Sequence, residues 1–398
     1  MVETERKPQF WQGLAVLAFV CAANWFLLSR AQAAWGLYGM ALTELFIAAA
    51  AVVAAKLFGV SFKELLPLKR VGGRKIAGSL FLWLGVFLIV DGISLIMMLL
   101  FPDMAEVTDG IASFIGQDAL WLRLAAVALL PGICEELLHR GFIVNTIGNI
   151  GRDWVRVIYM GALFGIFHME PYRFLPTALL GGMLTYVLIR TGNILVPMCI
   201  HALHNSLSVL AGTVTETADT AETLQSVDWS AGIMLIGLGL VPAVVGLIML
   251  RHRDNKLSAV WVAAGFILSF ALFFGGVIMS GIALLTAPVF EHSVSDGEIS
   301  SERLTFSVTV ASPDYAYSGS VDCENRVVTM NVLDGDGKFV KELTSGGDAY
   351  AFSGNLPLNA GTYTFEYIIE PVAGAPPQGG AEFSVVIRPT VLTYSPQG

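Results

Sequence analysis

The chain has 398 residues, of which 55% are hydrophobic and only 14% are charged, and its mean hydropathy is +0.67. A soluble protein carries about 25% charged residues, so this composition excludes a chain that is soluble over its whole length and predicts an integral membrane protein in a lipid bilayer. The net charge of −9 argues against nucleic acid as a partner, because binding phosphates needs a basic surface.

Long apolar segments predict a polytopic α-helical membrane protein. A spanning helix needs about 20 mainly apolar residues, and about nine segments qualify. In chain order they are 10–30, 35–58, 76–101, 119–145, 154–170, 173–190, 193–213, 230–250 and 257–287. Arg6 and Lys7 before the first segment also resemble the start of a cleavable signal peptide, but the length of the segment and Arg30 at its end favour a retained span.

The charges of the loops predict the orientation of these spans. Basic residues are frequent in 59–75 and 251–256, whereas 102–118 and 214–229 contain acidic residues and no Lys or Arg. Basic loops of membrane proteins remain in the cytoplasm. With nine spans, this rule predicts a multi-pass protein of the cell membrane with a cytoplasmic N-terminus and an extracytoplasmic C-terminal part.

The C-terminal part has a different pattern. Short segments of alternating apolar and polar residues lie between turns rich in Gly, Asp and Pro; they are 304–311, 326–332, 361–369 and 381–387. This pattern predicts an all-β, sandwich-like extracytoplasmic domain over 290–398, after a membrane domain over 1–289. Its Asp334-Gly335-Asp336-Gly337 segment favours a hairpin turn over a calcium loop. The sequence does not indicate which ligand this domain binds.

The domain from residue 290 onward also accounts for the net charge. It contains 14 acidic and 5 basic residues, all of them from Glu291 onward, so the preceding part of the chain is electrically neutral.

Ionisable side chains inside spans are costly and are therefore candidates for function. Glu136 and Arg140 are four residues apart, share a helix face and can pair. Glu135 is rotated by about 100° and faces a different neighbour. His201 and Asn205, also four apart, present an imidazole and an amide side by side. Further intramembrane candidates are Glu44, Asp91, His139, His168 and His204.

Together these groups predict hydrolytic chemistry. One carboxylate, two imidazoles and one amide on three helices can hold a water molecule and a carbonyl group between them. Glu135 and His168 would bind and deprotonate the water, and His201 and Asn205 would donate hydrogen bonds to the developing oxyanion. Such an arrangement could cleave a peptide bond.

Three motifs in successive spans carry a family resemblance. Glu135–Arg140 matches EExxxR, Phe164–His168 matches FxxxH and His201–Asn205 matches HxxxN. Their order and spacing resemble the CAAX-protease and bacteriocin-processing family of intramembrane endopeptidases, with a catalytic core at about 119–213.

The resemblance implies an intramembrane peptidase of the CAAX prenyl protease type, acting on a peptide or a membrane-anchored protein. It assigns water activation to Glu135 and His168, oxyanion stabilisation to His201 and Asn205, and structural support to Glu136 and Arg140. Phe164 would be a packing residue.

The resemblance leaves the cofactor open between none and zinc. Glu135, His168 and His201 are chemically adequate zinc ligands, which would make the protein a metalloprotease, but a glutamate mechanism needs no metal.

Two other classes of function remain as alternatives. Intramembrane carboxylates and histidines also serve proton- or ion-coupled transporters, although inverted repeats and discontinuous helices are not visible here. A non-catalytic membrane receptor or immunity protein on a protease-like core is the other alternative. Flux in proteoliposomes would favour the first, and cleavage after deletion of 290–398 would separate the core from the β-domain.

Overall fold

The computed structural model describes residues 8–101, 104, 110, 114, 118–147, 152–215, 229–251, 258–286, 289–297, 301–308, 312–323, 325–347, 349–372 and 381–389. The chain divides into two units, Met1–Ile278 and Met279–Gly398. Arg6 and Lys7, most of the acidic loops 102–118 and 214–229, and most of 251–256 lie outside the described residues. The orientation of the termini and the border at residue 290 stay predictions.

The helices are numbered here in chain order. They are α1 (Phe10–Trp35), α2 (Leu37–Phe58), α3 (Phe62–Leu65), α4 (Gly73–Leu100), α5 (120–146), α6 (Asp153–Phe167), α7 (Phe174–Thr191), α8 (Leu195–Thr215), α9 (Trp229–Leu250) and α10 (Ala259–Thr286). Local chemistry sets several of their ends. Gly59 and Gly192 adopt left-handed φ values of 77° and 66° after α2 and α7, where a side chain would be strained. Ser61 and Glu64 form a capping box at α3.

Seven helices are long and apolar enough to cross a membrane, which confirms the predicted polytopic helical fold. They are Phe10–Trp35, Leu37–Phe58, Gly73–Leu100, Pro171–Thr191, Leu195–Gly212, Trp229–Leu250 and Ala259–Ile282. The two other predicted spans are helical but differ in character. Helix α5 carries several charged residues, and α6 has only 15 residues. The count of nine spans therefore stays a prediction.

Helices α4 and α9 pack through glycine. The glycines recur every seventh residue in both helices and form three antiparallel pairs, Gly78–Gly246, Gly85–Gly239 and Gly92–Gly232. A Cβ atom added to Gly85 would lie 2.5 Å from the carbonyl oxygen of Gly239, and one added to Gly239 would lie 2.6 Å from that of Gly85. The two backbones therefore touch directly, as small residues allow between membrane helices.

The second unit contains a two-sheet antiparallel β-fold, as the alternating sequence predicts. Its strands are β1 (Phe290–Gly297), β2 (Ser301–Val308), β3 (Ser312–Cys323), β4 (Arg326–Asp334), β5 (Phe339–Gly346), β6 (Tyr350–Leu358), β7 (Gly361–Pro371) and β8 (Ala381–Pro389). One sheet has the order β1-β8-β3-β6 and the other β2-β7-β4-β5. Alternate side chains, such as Val328, Met330 and Val332 of β4, are fully buried in one apolar core.

The segment from Asp334 to Gly337 forms the hairpin turn between β4 and β5. The Gly337 N–H donates to the Asp334 carbonyl at 2.9 Å, and the Asp334 N–H donates to the Lys338 carbonyl at 2.8 Å. Gly337 has a φ of 77°, which a glycine adopts without strain. The hairpin prediction is confirmed.

Candidate active site

Helix α5, which carries the first motif, is irregular. Its segments Leu124–Leu129 and Leu137–Ile143 are π-helical, and the α-helical segment Leu130–Glu136 lies between them. π-Helical turns are rare and are frequent at functional sites. Glu135 and Glu136 therefore end a short α-helical segment that wider turns flank on both sides.

Glu136 and Arg140 form a fully buried ion pair, with Arg140 Nη1 2.8 Å from Glu136 Oε1. Two groups of α7 also hold the guanidinium: Arg140 Nη2 donates to the Gly181 carbonyl at 2.5 Å, and Nε donates to Thr185 Oγ1 at 3.3 Å. The Arg140 Cζ atom lies 4.7 Å from the centre of the Phe164 ring. The predicted pair is present, and its further partners on α7 compensate for removing its charges from water.

His201 of α8 joins this pair to Glu135. Its Nδ1 atom lies 3.0 Å from Glu136 Oε1, and because a carboxylate only accepts hydrogen bonds, Nδ1 carries the proton. Its Nε2 atom lies 3.9 Å from Glu135 Oε2. That separation is too long for a direct hydrogen bond and fits an oxygen atom bound between the two groups.

Glu135 is 7% exposed, and its Oε2 atom is buried without a hydrogen-bond partner among the described residues. Buried carboxylate oxygens are nearly always satisfied, and an unsatisfied one requires an explanation, such as a catalytic role. Glu136 Oε2 is likewise buried without a hydrogen-bond partner among the described residues, but Glu136 differs from Glu135 because its Oε1 accepts hydrogen bonds from both Arg140 and His201. The adjacent glutamates have different surroundings, as expected from their rotation around the helix.

His168 follows the last residue of α6 and is half-buried. Its Nδ1 atom lies 2.8 Å from the Phe164 carbonyl, which fixes the proton on Nδ1 and leaves the lone pair of Nε2 as an acceptor. Met169, the next residue, has a φ of 53°, which is uncommon for a residue other than glycine. This backbone turn ends α6 directly beyond the imidazole.

The Phe164 ring brings the motif residues of three helices together. Its centroid lies 4.9 Å from that of His168 and 5.6 Å from that of His201, both in edge-to-face geometry, and Arg140 covers the ring. Gly181 of α7 leaves room for it, since an added Cβ would lie 2.5 Å from Phe164 Cβ. Gly181 therefore lets α6 and α7 pack closely at this ring.

Asn205 reaches α5 from α8. Its Nδ2 atom donates to the Val127 carbonyl at 3.0 Å. In a regular α-helix that carbonyl would accept the N–H of residue 131, which is a proline and has none. One hydrogen of the amide is therefore used for anchoring, and the second is still available for a ligand.

The sequence did not predict the contacts of His139, His204 and Glu44, which the structure shows. His139 is fully buried, bonds through Nδ1 to the Glu135 carbonyl at 2.9 Å and packs its ring edge-to-face with Phe164 and Phe167. The ring of His204 lies 5.5 Å from that of Phe87 on α4. Glu44 of α2 interacts electrostatically with Glu135.

The side chains do not form a zinc site. A catalytic zinc ion needs three protein ligands around one point. The Nε2 atoms of His168 and His201 are suitable donors, but no group of three or more His, Cys, Asp or Glu residues in the described part of the chain could hold a metal ion. The predicted ligand set of Glu135, His168 and His201 therefore does not fit zinc in this arrangement.

A buried carboxylate, two histidines and an amide on the neighbouring helices α5, α6 and α8 define this region as a candidate hydrolytic site. A family model described as Rce1-like, type II CAAX prenyl endopeptidase, matches residues 117–207. The match covers less than a quarter of the chain but contains all three motifs, and it confirms the resemblance that those motifs carry. It points to a CAAX-type membrane peptidase. A comparison with curated proteins gives no match.

Proposed function

We propose that this protein is an intramembrane endopeptidase of the CAAX-processing type, in which Glu135 and His168 activate a water molecule. One observation carries the proposal. Glu135 Oε2 is buried beside His201 Nε2 with no hydrogen-bond partner in the described part of the chain, and Glu136, held by Arg140, fixes the orientation of that histidine. The substrate would be a peptide or a membrane-anchored protein, as for the family that the motifs resemble.

The proposed role of His201 uses both ring nitrogens. Its Nδ1–H donates to Glu136, and a second N–H on Nε2 would be directed toward the gap beside Glu135. The ring thus lies between the carboxylates of Glu135 and Glu136.

The hydrolysis then follows from the available protons. Water donates one hydrogen bond to Glu135 and one to Nε2 of His168, and attacks the peptide carbonyl as its proton moves to Glu135. His201 Nε2–H and the second Nδ2–H of Asn205 stabilise the oxyanion. When the C–N bond breaks, Glu135 returns the proton to the amine, so the products are a free acid and a free amine.

The decisive test replaces Glu135 with Gln in full-length protein reconstituted in lipid. A quenched peptide with a prenylated C-terminal CAAX sequence reports cleavage. Loss of the base should reduce kcat by about 10²- to 10⁴-fold. Glu64→Gln is the matched control, because the exposed Glu64 side chain caps α3 through Ser61 and belongs to none of the three motifs, and it should retain activity. Wild-type cleavage rates in the Glu135→Gln variant would refute the proposal.

A chelator tests the metal-free chemistry in the same assay. Activity should persist after treatment with a strong zinc chelator, because the proposed steps use only side-chain protons. Activity that is lost in chelator and restored by zinc would contradict this part of the proposal, while the Glu135 result would still test the peptidase itself.

A further inference from the structure

Glu44 is a buried carboxyl group outside the three motifs. It lies on α2 and is only 6% exposed, and its Oε2 atom has no hydrogen-bond partner among the described residues. A buried carboxyl oxygen without a partner is costly, because it has lost the hydrogen bonds of water. A buried carboxyl group on this mainly apolar helix therefore requires an explanation.

The packing of α2 places Glu44 at the level of the catalytic segment. Near one end of α2, Leu37 shares a small core cluster with Leu122 and Ala126 of α5. At the other end, the ring of Phe58 lies 6.1 Å from that of Phe142. The two helices therefore run side by side in the same direction.

Glu44 falls between these contacts, beside the segment Leu130–Glu136. Helix α2 also packs directly against that segment.

Glu44 and Glu135 both lack a hydrogen-bond donor for one buried carboxylate oxygen. Each has a buried Oε2 atom that no protein donor reaches in the described part of the chain. Two like carboxylates within interaction range also repel each other. A single water molecule between them removes both problems, since it can donate one hydrogen to each oxygen, and buried waters typically make about three hydrogen bonds to such groups.

We propose that Glu44 is a positioning residue for Glu135, linked to it by one buried water molecule. This inference rests on the proposed role of Glu135 as the base. The bridging water uses one lone pair of Glu135 Oε2 and fixes the carboxyl plane, so that the other lone pair of this oxygen faces the attacking water and the gap to His201. Glu44 itself touches neither the substrate nor the attacking water.

Two variants separate positioning from structure. Glu44→Gln keeps a group that can hydrogen-bond the bridging water, whereas Glu44→Leu removes it. Misplacing a catalytic group by about 1 Å can cost about 100-fold in rate. We therefore expect Glu44→Leu to lower kcat at least tenfold with an unchanged KM, and Glu44→Gln to restore most of the rate.

Thr43→Val is the matched control. Thr43 is buried on the same helix but bonds to Gln32 and to the Gly39 carbonyl, so kcat should not change. Melting curves check that all variants are folded. A Glu44→Leu protein with wild-type kcat would overturn the inference while leaving the peptidase proposal intact.

Infrared spectroscopy tests the proposed link between Glu44 and Glu135 without a cleavage assay. The carboxyl band of Glu135 is identified as the band that disappears in Glu135→Gln. Glu44→Gln should shift this band, because it changes the hydrogen bonding of the bridging water, and Thr43→Val should not. An unmoved Glu135 band would overturn the link, even if Glu44→Leu does not fold or no peptide is cleaved by the wild type.

Discussion

Two regions of the helical unit join their helices in opposite ways. Around the buried pair of Glu136 and Arg140, hydrogen bonds connect α5 to α7 and α8, and aromatic contacts of Phe164 add α6. Between α4 and α9, three glycine pairs bring one backbone against the other. The first region specifies the position of individual atoms, and the second brings whole helices close together.

The difference reflects the forces that can bring helices together in a lipid bilayer. Lipid tails are as apolar as leucine, so association of membrane helices depends on close packing and on interhelical hydrogen bonds. Close packing through glycine needs no buried charge and leaves no chemical group available. A polar cluster costs more to assemble, but it leaves groups such as Glu135 Oε2 in a position to react. The two regions should therefore respond differently to substitution.

Breaking the buried pair should have the largest effect on stability. Arg140→Met leaves Glu136 charged and buried without its main partner, and such a loss costs about 3–5 kcal/mol. Reversible unfolding in mixed detergent measures the free energy of unfolding. Activity should also fall, because Glu136, which orients His201, loses the guanidinium that holds its carboxylate in place.

The matched control is Asp153→Asn, which breaks the Arg190–Asp153 contact of 3.5 Å, where the Asp side chain is 49% exposed. Exposed pairs contribute about 0–1 kcal/mol, so the change should be small. Similar losses in the two variants would mean that burial does not distinguish the two pairs.

A methyl group in the glycine region should have a smaller effect. Gly85→Ala places Cβ against the Gly239 carbonyl, so α4 and α9 must separate, and overpacking of this kind costs about 1–3 kcal/mol. Gly275→Ala on α10 is the control, because an added Cβ there meets nothing within 4 Å. Unfolding measurements should separate the two variants, while kcat per folded molecule stays at the wild-type value. A strong loss of kcat in Gly85→Ala would show that the two regions are coupled.

Sequence reasoning predicted local relations well and relations between helices poorly. Glu136 and Arg140 pair because four residues make about one helical turn, a relation that the sequence alone contains. Gly181 and Thr185, which also hold Arg140, lie on another helix, and no spacing rule connects them to it. The seven-residue glycine repeat was visible in the sequence and could have indicated the contact between α4 and α9.

The β-strands were also predicted only in part from the sequence. Strands β4, β7 and β8 contain three of the predicted segments, and β2 contains 304–308 of the fourth, whose residues 309–311 lie outside the described part of the chain. Strands β1, β3, β5 and β6 were missed. Three of the missed strands are at the edges of the sheets, where one side lacks a neighbour and a regular alternation is less strictly required. The fourth, β3, contains Gly319 against the Ser384 carbonyl and Phe352, so its pattern is weakened by a close contact.

The smallest expected effect concerns the prolines, since each region has one inside a helix. Pro131→Ala supplies an N–H that can bond to the Val127 carbonyl and so competes with Asn205 for it. A freed amide loses its orientation for the oxyanion, so kcat should fall less than tenfold, or by about 1 kcal/mol of transition-state stabilisation. Pro242→Ala on α9 makes the same backbone change in the glycine region, outside the motif segments, and should leave kcat unchanged. Equal kcat values in the two variants would show that the bond from Asn205 to Val127 does not position the amide, and that the irregularity of α5 serves packing as the glycines of α4 do.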